Sequence, residues 1–419
     1  MKQESIMLLS QLENLPNFEA VQSSLKNKYN NEINQLLGAF FQHIHRGYMY
    51  WDNHEDTILD SKIKINNEVL FENTNHVIDF IPTDIRESMK TDCKHVQKVE
   101  INFDNRTFVL YICTPASYNN TKINNIIRFT TIWLYFANFF TVATCSKTVN
   151  IHIFFTNKTK NIPNVSTDTW DKIHVNTAFT TTCQPHTNVF IFREEEWFRA
   201  LIHESFHNLG FDFLAMKPVN IKTEESRIKE IFPINIDKLY YGETYNEMWA
   251  EILNIMFYVY ENYSFGECTE NNIKKLRTHF YRYILIERVF SVYQCAKLLH
   301  TNNTTYSQFL ENPKSYQENT PAFSYYFLKS ILSVHLDEFL QFCVNQFSYR
   351  ANNEKKYSIV FYRSRINLNK YTNLFLKNYN SSVFKNALKL FEIKKKKINT
   401  TLFKTLRMSL IQMEITTPI

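Results

Sequence analysis

Near residue 194 the hydrophobic period switches from strand-like to helical, and that switch limits the architecture of this chain more than any other feature. Val149–Phe155, Ile173–Thr180 and Asn188–Arg193 have the length and alternation of strands. From Glu194 to Leu209 the period becomes helical, and Gly210 supplies a stop. Beyond Pro218 the helical pattern persists, most clearly over 243–262, 272–299, 321–346 and 370–392. Upstream, residues 4–46 read as two helices ending near Gly47. Val99–Phe103 and Phe108–Cys113 read as a β-hairpin, and Ile123–Thr144 as a long apolar helix. Strands before the switch and helices after it predict an α+β fold. The expected divisions are a mainly helical region at 1–95, a small mixed sheet with an edge strand and a functional helix at 96–214, and a mostly helical region at 215–419.

Composition narrows the class. Hydrophobic residues make up 44% of the 419 and charged residues only 21%, which excludes a disordered chain. With 5 Gly and 10 Pro, collagen-like and linker-like compositions are excluded too. The 47 Lys and Arg against 41 Asp and Glu leave +6, too mild an excess for a dedicated nucleic-acid binder. The only dense charge run, Lys394–Lys397, reads as a solvated face. Seven Cys form an odd set without a CxxC pair, so free thiols in a reducing, intracellular compartment are expected, with no disulfide framework. The opening residues lack the length and cleavage signal of a secretory leader. The most apolar window, Phe129–Ala143, contains Asn138 and is too short for a membrane span. The abundance of Asn, Ile, Lys, Phe and Tyr matches AT-rich codons, as in some large DNA viruses and parasites.

Inside the segment after the switch stand His203, Glu204, Ser205, Phe206 and His207, an HExxH motif. Histidines at i and i+4 stack on one helix face a turn apart, so both imidazoles can reach one ion. Glu204 is displaced round the helix from the first ligand, where its carboxylate can reach a water beside the metal and act as general base. Two histidines do not complete a zinc site, and the third ligand is expected on another element. Glu247 is the leading choice. It lies four residues before Glu251 on a helix otherwise rich in apolar side chains, and a carboxylate buried there needs a cation or donors. Glu251 would then accept the far N–H of a ligand histidine. Glu243, one turn earlier, is the alternative ligand, with Glu247 then in support.

The motif together with Asn246, Glu247 and Glu251 resembles the HExxH zinc metallopeptidases of the gluzincin type, the thermolysin and neprilysin-like families. Val175, Asn176, Thr177, Ala178 and Phe179 look like the family's Asn-Ala-aromatic edge strand, with Thr177 as an extra residue. The resemblance spans about 120–262. It implies a zincin-like fold, a Zn²⁺ cofactor, a peptide or protein substrate, and pairing of substrate backbone with the edge strand at Asn176, Ala178 and Phe179. The aminopeptidase branch also suggests an oxyanion donor from Tyr325 or Tyr326, with His279, His300 and His335 as competing imidazoles.

His203 through Gly210 also fits HExxHxxG, the opening of the metzincin pattern, but position 213, where a third ligand should stand, is Phe. The leading function is therefore a zinc peptidase with Glu204 as base. The alternatives are a zincin-like structural or binding protein without turnover, and a nucleic-acid-associated basic protein in which the motif is fortuitous.

Overall fold

The computed structural model describes residues 1–26, 29–66, 80–103, 105–141, 145–163, 169–236, 238–264, 266–351, 354–393 and 400–415. Lys394–Lys397 therefore lies outside the described residues. The chain is a mixed α+β protein that folds as two compact units. They are not consecutive stretches: one comprises 1–41, 161–175 and 212–411, the other 42–160, 176–211 and 412–419. The expected divisions at 95 and 214 do not follow this interleaving.

The second unit is built on a six-stranded sheet: β1 (Ile63–Ile65), β2 (His95–Phe103), β3 (Arg106–Thr114), β4 (Thr148–Phe154), β5 (Ala178–Thr180) and β6 (His186–Ile191), in the order β1-β2-β3-β4-β6-β5. The β2–β3 hairpin is antiparallel as the alternation predicts, whereas β3, β4 and β6 run parallel. Three helices of this part of the chain matter here: α1 (Asn31–Asp60), α2 (Thr83–Asp92) and α3 (Asn120–Asn138). One sheet face packs on α2, where Ile85, Met89 and Cys93 meet Val96, Cys113, Phe154 and Phe190. On that face Tyr111, His152, Phe190 and Phe179 form a ring stack across β3, β4, β6 and β5, with centroids 4.8, 4.5 and 4.8 Å apart. Each stacked pair stands directly opposite in the ladder, so the stack fixes register out to the edge strand.

The sequence reading differs in several places. Residues 4–46 form three helices rather than two, Gln3–Glu13, Phe18–Ser24 and α1, and α1 continues through Gly47 to Asp60. Gly47 is a point of close approach rather than a stop: a Cβ there would lie 3.0 Å from the Ile132 carbonyl oxygen on α3. Ile173–Thr180 is not one strand, because Lys172–Val175 makes a helical turn and only Ala178–Thr180 pairs in the sheet.

The first unit is helical. A 12-residue helix of the second unit, α4 (Trp197–Asn208), precedes α5 (Pro218–Ile231), α6 (Gly242–Tyr263) and α7 (Glu270–Thr301). The long helices expected at 321–346 and 370–392 are each broken. The first becomes a π-helical turn at Phe323–Leu328 and helices Lys329–Val334 and Leu336–Phe347; the second becomes Arg365–Asn378 and Ser382–Leu390. An extended segment threads this unit and is held by side chains instead of a sheet. Tyr326 donates to Leu406 O (2.6 Å), Lys329 to Met408 O (2.7 Å) and Asn254 to Ile411 O (2.9 Å), while Glu287 accepts from the Leu410 and Ile411 amides. Buried backbone without a ladder needs such partners. Among the described residues no helix is long and apolar enough to cross a membrane.

Candidate metal centre

The functional helix α4 is buried along its whole length. Its C-terminus is closed by Gly210 at φ 72°, with Gly210 N donating to His207 O (3.3 Å) and Phe211 N to Phe206 O (2.8 Å). This is a Schellman closure, completed by the edge contact of the Phe206 and Phe211 rings. The helix packs on the sheet face opposite α2. Asn208 reaches that face through Thr180 Oγ1 (3.1 Å), Thr181 O (3.0 Å) and Thr187 Oγ1 (3.3 Å). Trp133 on α3 donates to Ser205 Oγ (2.9 Å) from the other side.

The helical pattern read from Glu194 starts three residues late. The helix begins at Trp197, after Glu196 in a left-handed conformation (φ 58°). Glu196 pairs with the buried Lys160 ammonium, and Glu195 accepts from the Lys160 amide (2.5 Å). Burial pulls the Lys160 pKa down while both carboxylates oppose that shift.

His203 and His207 are both buried, with ring centroids 5.2 Å apart. One ligand atom from each, and one carboxylate oxygen of the half-buried Glu243, all lie within 4.8 Å of one another. Donors about 2.1 Å from a shared ion stand roughly 3 to 4 Å apart, a spacing that this limit includes. Two imidazoles and a carboxylate are also the donor set of open metal sites, so the residues fit a metal ion chemically. Glu204, beside His203 on α4, is buried and is not one of the three converging donors.

The carboxylate that joins the histidines is thus Glu243, the alternative, and not Glu247. Glu243 occupies the first turn of α6, with Glu247 one turn and Glu251 two turns further along the same face. Glu247 is buried at 2% exposure. Glu251 does not orient a histidine, because its partner is the buried ammonium of Lys329, which satisfies the charge the apolar helix imposes. Gly242 and Glu243 also line a cavity of about 270 Å³ with Leu214, Pro218, Ile221 and Tyr240.

The oxyanion candidates separate as well. Tyr326 gives its hydroxyl proton to Leu406 O, so it is not the donor sought, while Tyr325 lies half-buried beside it. His279 stacks on Tyr263 (3.8 Å between centroids) and His335 Nε2 bonds Ser381 Oγ (2.8 Å). Phe213, at the metzincin ligand position, is fully buried against Tyr241, Phe361 and Tyr371.

Of the expected substrate strand, Asn176 uses its carbonyl on Arg193 Nε (2.9 Å) and Phe179 turns its ring into the aromatic stack. Phe192 N bonds Thr177 O and Thr181 N bonds Asn188 O. The alternation of an antiparallel ladder then leaves Ala178 and Thr180 with their N–H and C=O groups directed away from β6, at the sheet's edge.

A disulfide joins Cys145 to Cys183, contrary to the free thiols expected from an odd cysteine set. Each cysteine stands three residues before a strand start, and β4 and β6 are parallel neighbours with Thr148 opposite His186. With the strands in parallel register, that shared offset brings the two cysteines together. Compared with known protein-family models, with curated proteins and with solved structures, the chain has no match in any of the three.

Proposed function

We propose that this chain is a zinc-dependent peptidase. The observation that carries the reading is the convergence of His203, His207 and Glu243, with Glu204 next to His203 on α4. A zinc ion held there would polarise a scissile carbonyl and make a water more acidic. His203 and His207 would bind it through ring nitrogens and Glu243 through a carboxylate oxygen. Glu204 would take the proton of the attacking water and return it to the leaving amine, the work of a general base turned acid. Ala178 and Thr180, with their outward backbone groups, would align an extended peptide by strand addition. The cavity beside Glu243, lined by apolar side chains and by Lys222, Glu225 and Lys238, offers room for a substrate side chain. Tyr325 is the remaining tyrosine candidate for stabilising the oxyanion.

Cleavage of a degenerate peptide library by the wild type and by Glu204→Gln tests this reading, with zinc content measured in parallel. The variant should keep the metal and lose roughly 10²- to 10⁴-fold in rate. Equal rates would remove Glu204 from the mechanism. A wild type that holds zinc and cleaves nothing would favour a binding protein.

A further inference from the structure

The end of α4 that carries His207 is tied down from two loops. The carbonyl of Asn208, the next residue, accepts from Ser146 Oγ (2.7 Å) and from the Cys183 amide (3.2 Å). Ser146 follows Cys145, so the two donors stand on opposite sides of the Cys145–Cys183 disulfide. Neither loop is helix or strand at these residues. Besides the S–S bond, they are joined by Ser146 N to Gln184 O (2.8 Å) and Thr148 N to Pro185 O (3.0 Å). Arg106 braces the buried side, its guanidinium donating to the Cys145 carbonyl (2.8 Å) and the Ser146 carbonyl (2.7 Å). Cys145 is 4% exposed, whereas Cys183 is only half-buried, which makes Cys183 the more accessible residue of the pair.

We propose that Cys145–Cys183 is a thiol-exchange site that latches the His207 end of α4. The co-reactant is a dithiol. One of its thiolates attacks Cys183 Sγ, the S–S bond breaks, and the electron pair leaves on Cys145 Sγ, which takes up a proton. The second thiol then displaces Cys183 from the mixed disulfide, so the dithiol departs oxidised and both cysteines end as thiols. With the covalent link gone, the two loops that grip the Asn208 carbonyl are joined to each other only through individually weak hydrogen bonds. The Schellman closure keeps α4 helical and the Asn208 side chain keeps its bonds to Thr180, Thr181 and Thr187, while the grip of the two loops on the Asn208 carbonyl loosens and the His207 end of the helix is held less firmly. The consequence for metal affinity rests on the metal reading of His203, His207 and Glu243; the latch itself does not.

The test uses the full chain, oxidised or reduced with a dithiol and desalted under nitrogen. Hydrogen exchange is followed at residues 206–211, and zinc affinity by competition with a chromophoric chelator. Reduction should speed exchange there and weaken zinc about tenfold, the scale of a lost support around a metal ligand, and reoxidation should restore both. Unchanged exchange in the two redox states overturns the proposal, as does weaker zinc binding without faster exchange. Alkylation of Cys145 and Cys183 themselves, located by peptide mapping, in protein kept in air without reductant would also overturn it. Faster exchange in a chain that binds zinc in neither state upholds the latch and refutes the metal reading. Should reduction unfold the whole chain, Ser146→Ala decides, since it keeps the disulfide and removes one donor. It should speed exchange at the same residues, and no change overturns the latch.

Discussion

Helices α4 and α6 are both buried in apolar surroundings and both carry ionisable side chains, yet each unit accommodates them differently. On α4 the polar groups are held from outside the helix, by Trp133 on Ser205, by threonines of β5 and β6 on Asn208, and by a disulfide-linked pair of loops. On α6 three carboxylates occupy one face at successive turns and find different partners. Glu243 joins the histidines, and Glu251 meets Lys329. An acidic stripe on an apolar helix is therefore a sequence of separate electrostatic problems, and the carboxylate at its end is the one placed with the histidines.

The largest effect should come from breaking the second of those solutions. Lys329→Met leaves the Glu251 carboxylate buried without its cation, which should cost about 3–5 kcal/mol in urea unfolding. The double change Glu251→Met with Lys329→Met should recover most of that loss, because an apolar pair of similar size needs no counter-charge. If Lys329→Met were neutral, the division of labour along α6 would be wrong.

Buried titratable groups sharpen the contrast with opposite signs of pH dependence. In the first unit, burial, reinforced by the Glu251 charge, pushes Glu287 up to about 7. A carboxyl raised in the folded state gives stability that is complete below its unfolded pKa of about 4.5 and lost as pH rises through about 7. The whole contribution is at most about 3 kcal/mol. In the second unit, burial drives His152 down to about 3, so its contribution is present above about 6.5 and lost as pH falls towards 3. Between pH 4.5 and 7 the slope of stability against pH should be more positive in Glu287→Gln than in the wild type, and more negative in His152→Phe. A Glu287→Gln curve parallel to the wild type would remove Glu287 from the pH dependence.

Much of this was legible from residue order. The change of period located α4 after the last strand of the sheet, Gly210 marked its stop, and the i,i+4 spacing put the two histidines on one helix face. The choice among Glu243, Glu247 and Glu251 was not legible, since spacing places all three on one face and only the position of Lys329, 78 residues further on, occupies the last. Gly47 misled because a glycine that ends a helix and one that lets α3 approach look alike in sequence. The disulfide was hidden by its separation of 38 residues, and only the parallel register of β4 and β6 brings the two cysteines together.

Two smaller effects probe the closure of α4. Gly210→Ala puts a Cβ on a residue at φ 72° and should destabilise by about 1–2 kcal/mol. Trp133→Phe removes the indole donor to Ser205, worth about 1 kcal/mol, while keeping most of the ring packing. Thermal unfolding monitored by circular dichroism would rank them, and a larger loss from Trp133→Phe than from Gly210→Ala would mean that the helix is held by its side more than by its end.

The central claim is that Glu243, with His203 and His207, holds a metal while the next carboxylate on α6 only supports it. Zinc titration against a competing chelator, on the wild type, Glu243→Gln and Glu247→Gln, tests it most directly. The wild type should bind one equivalent, Glu243→Gln should weaken binding by more than about 100-fold, and Glu247→Gln by about tenfold, the range of a supporting group. The reverse order would move the ligand to Glu247, and a wild type that binds no zinc would contradict the account.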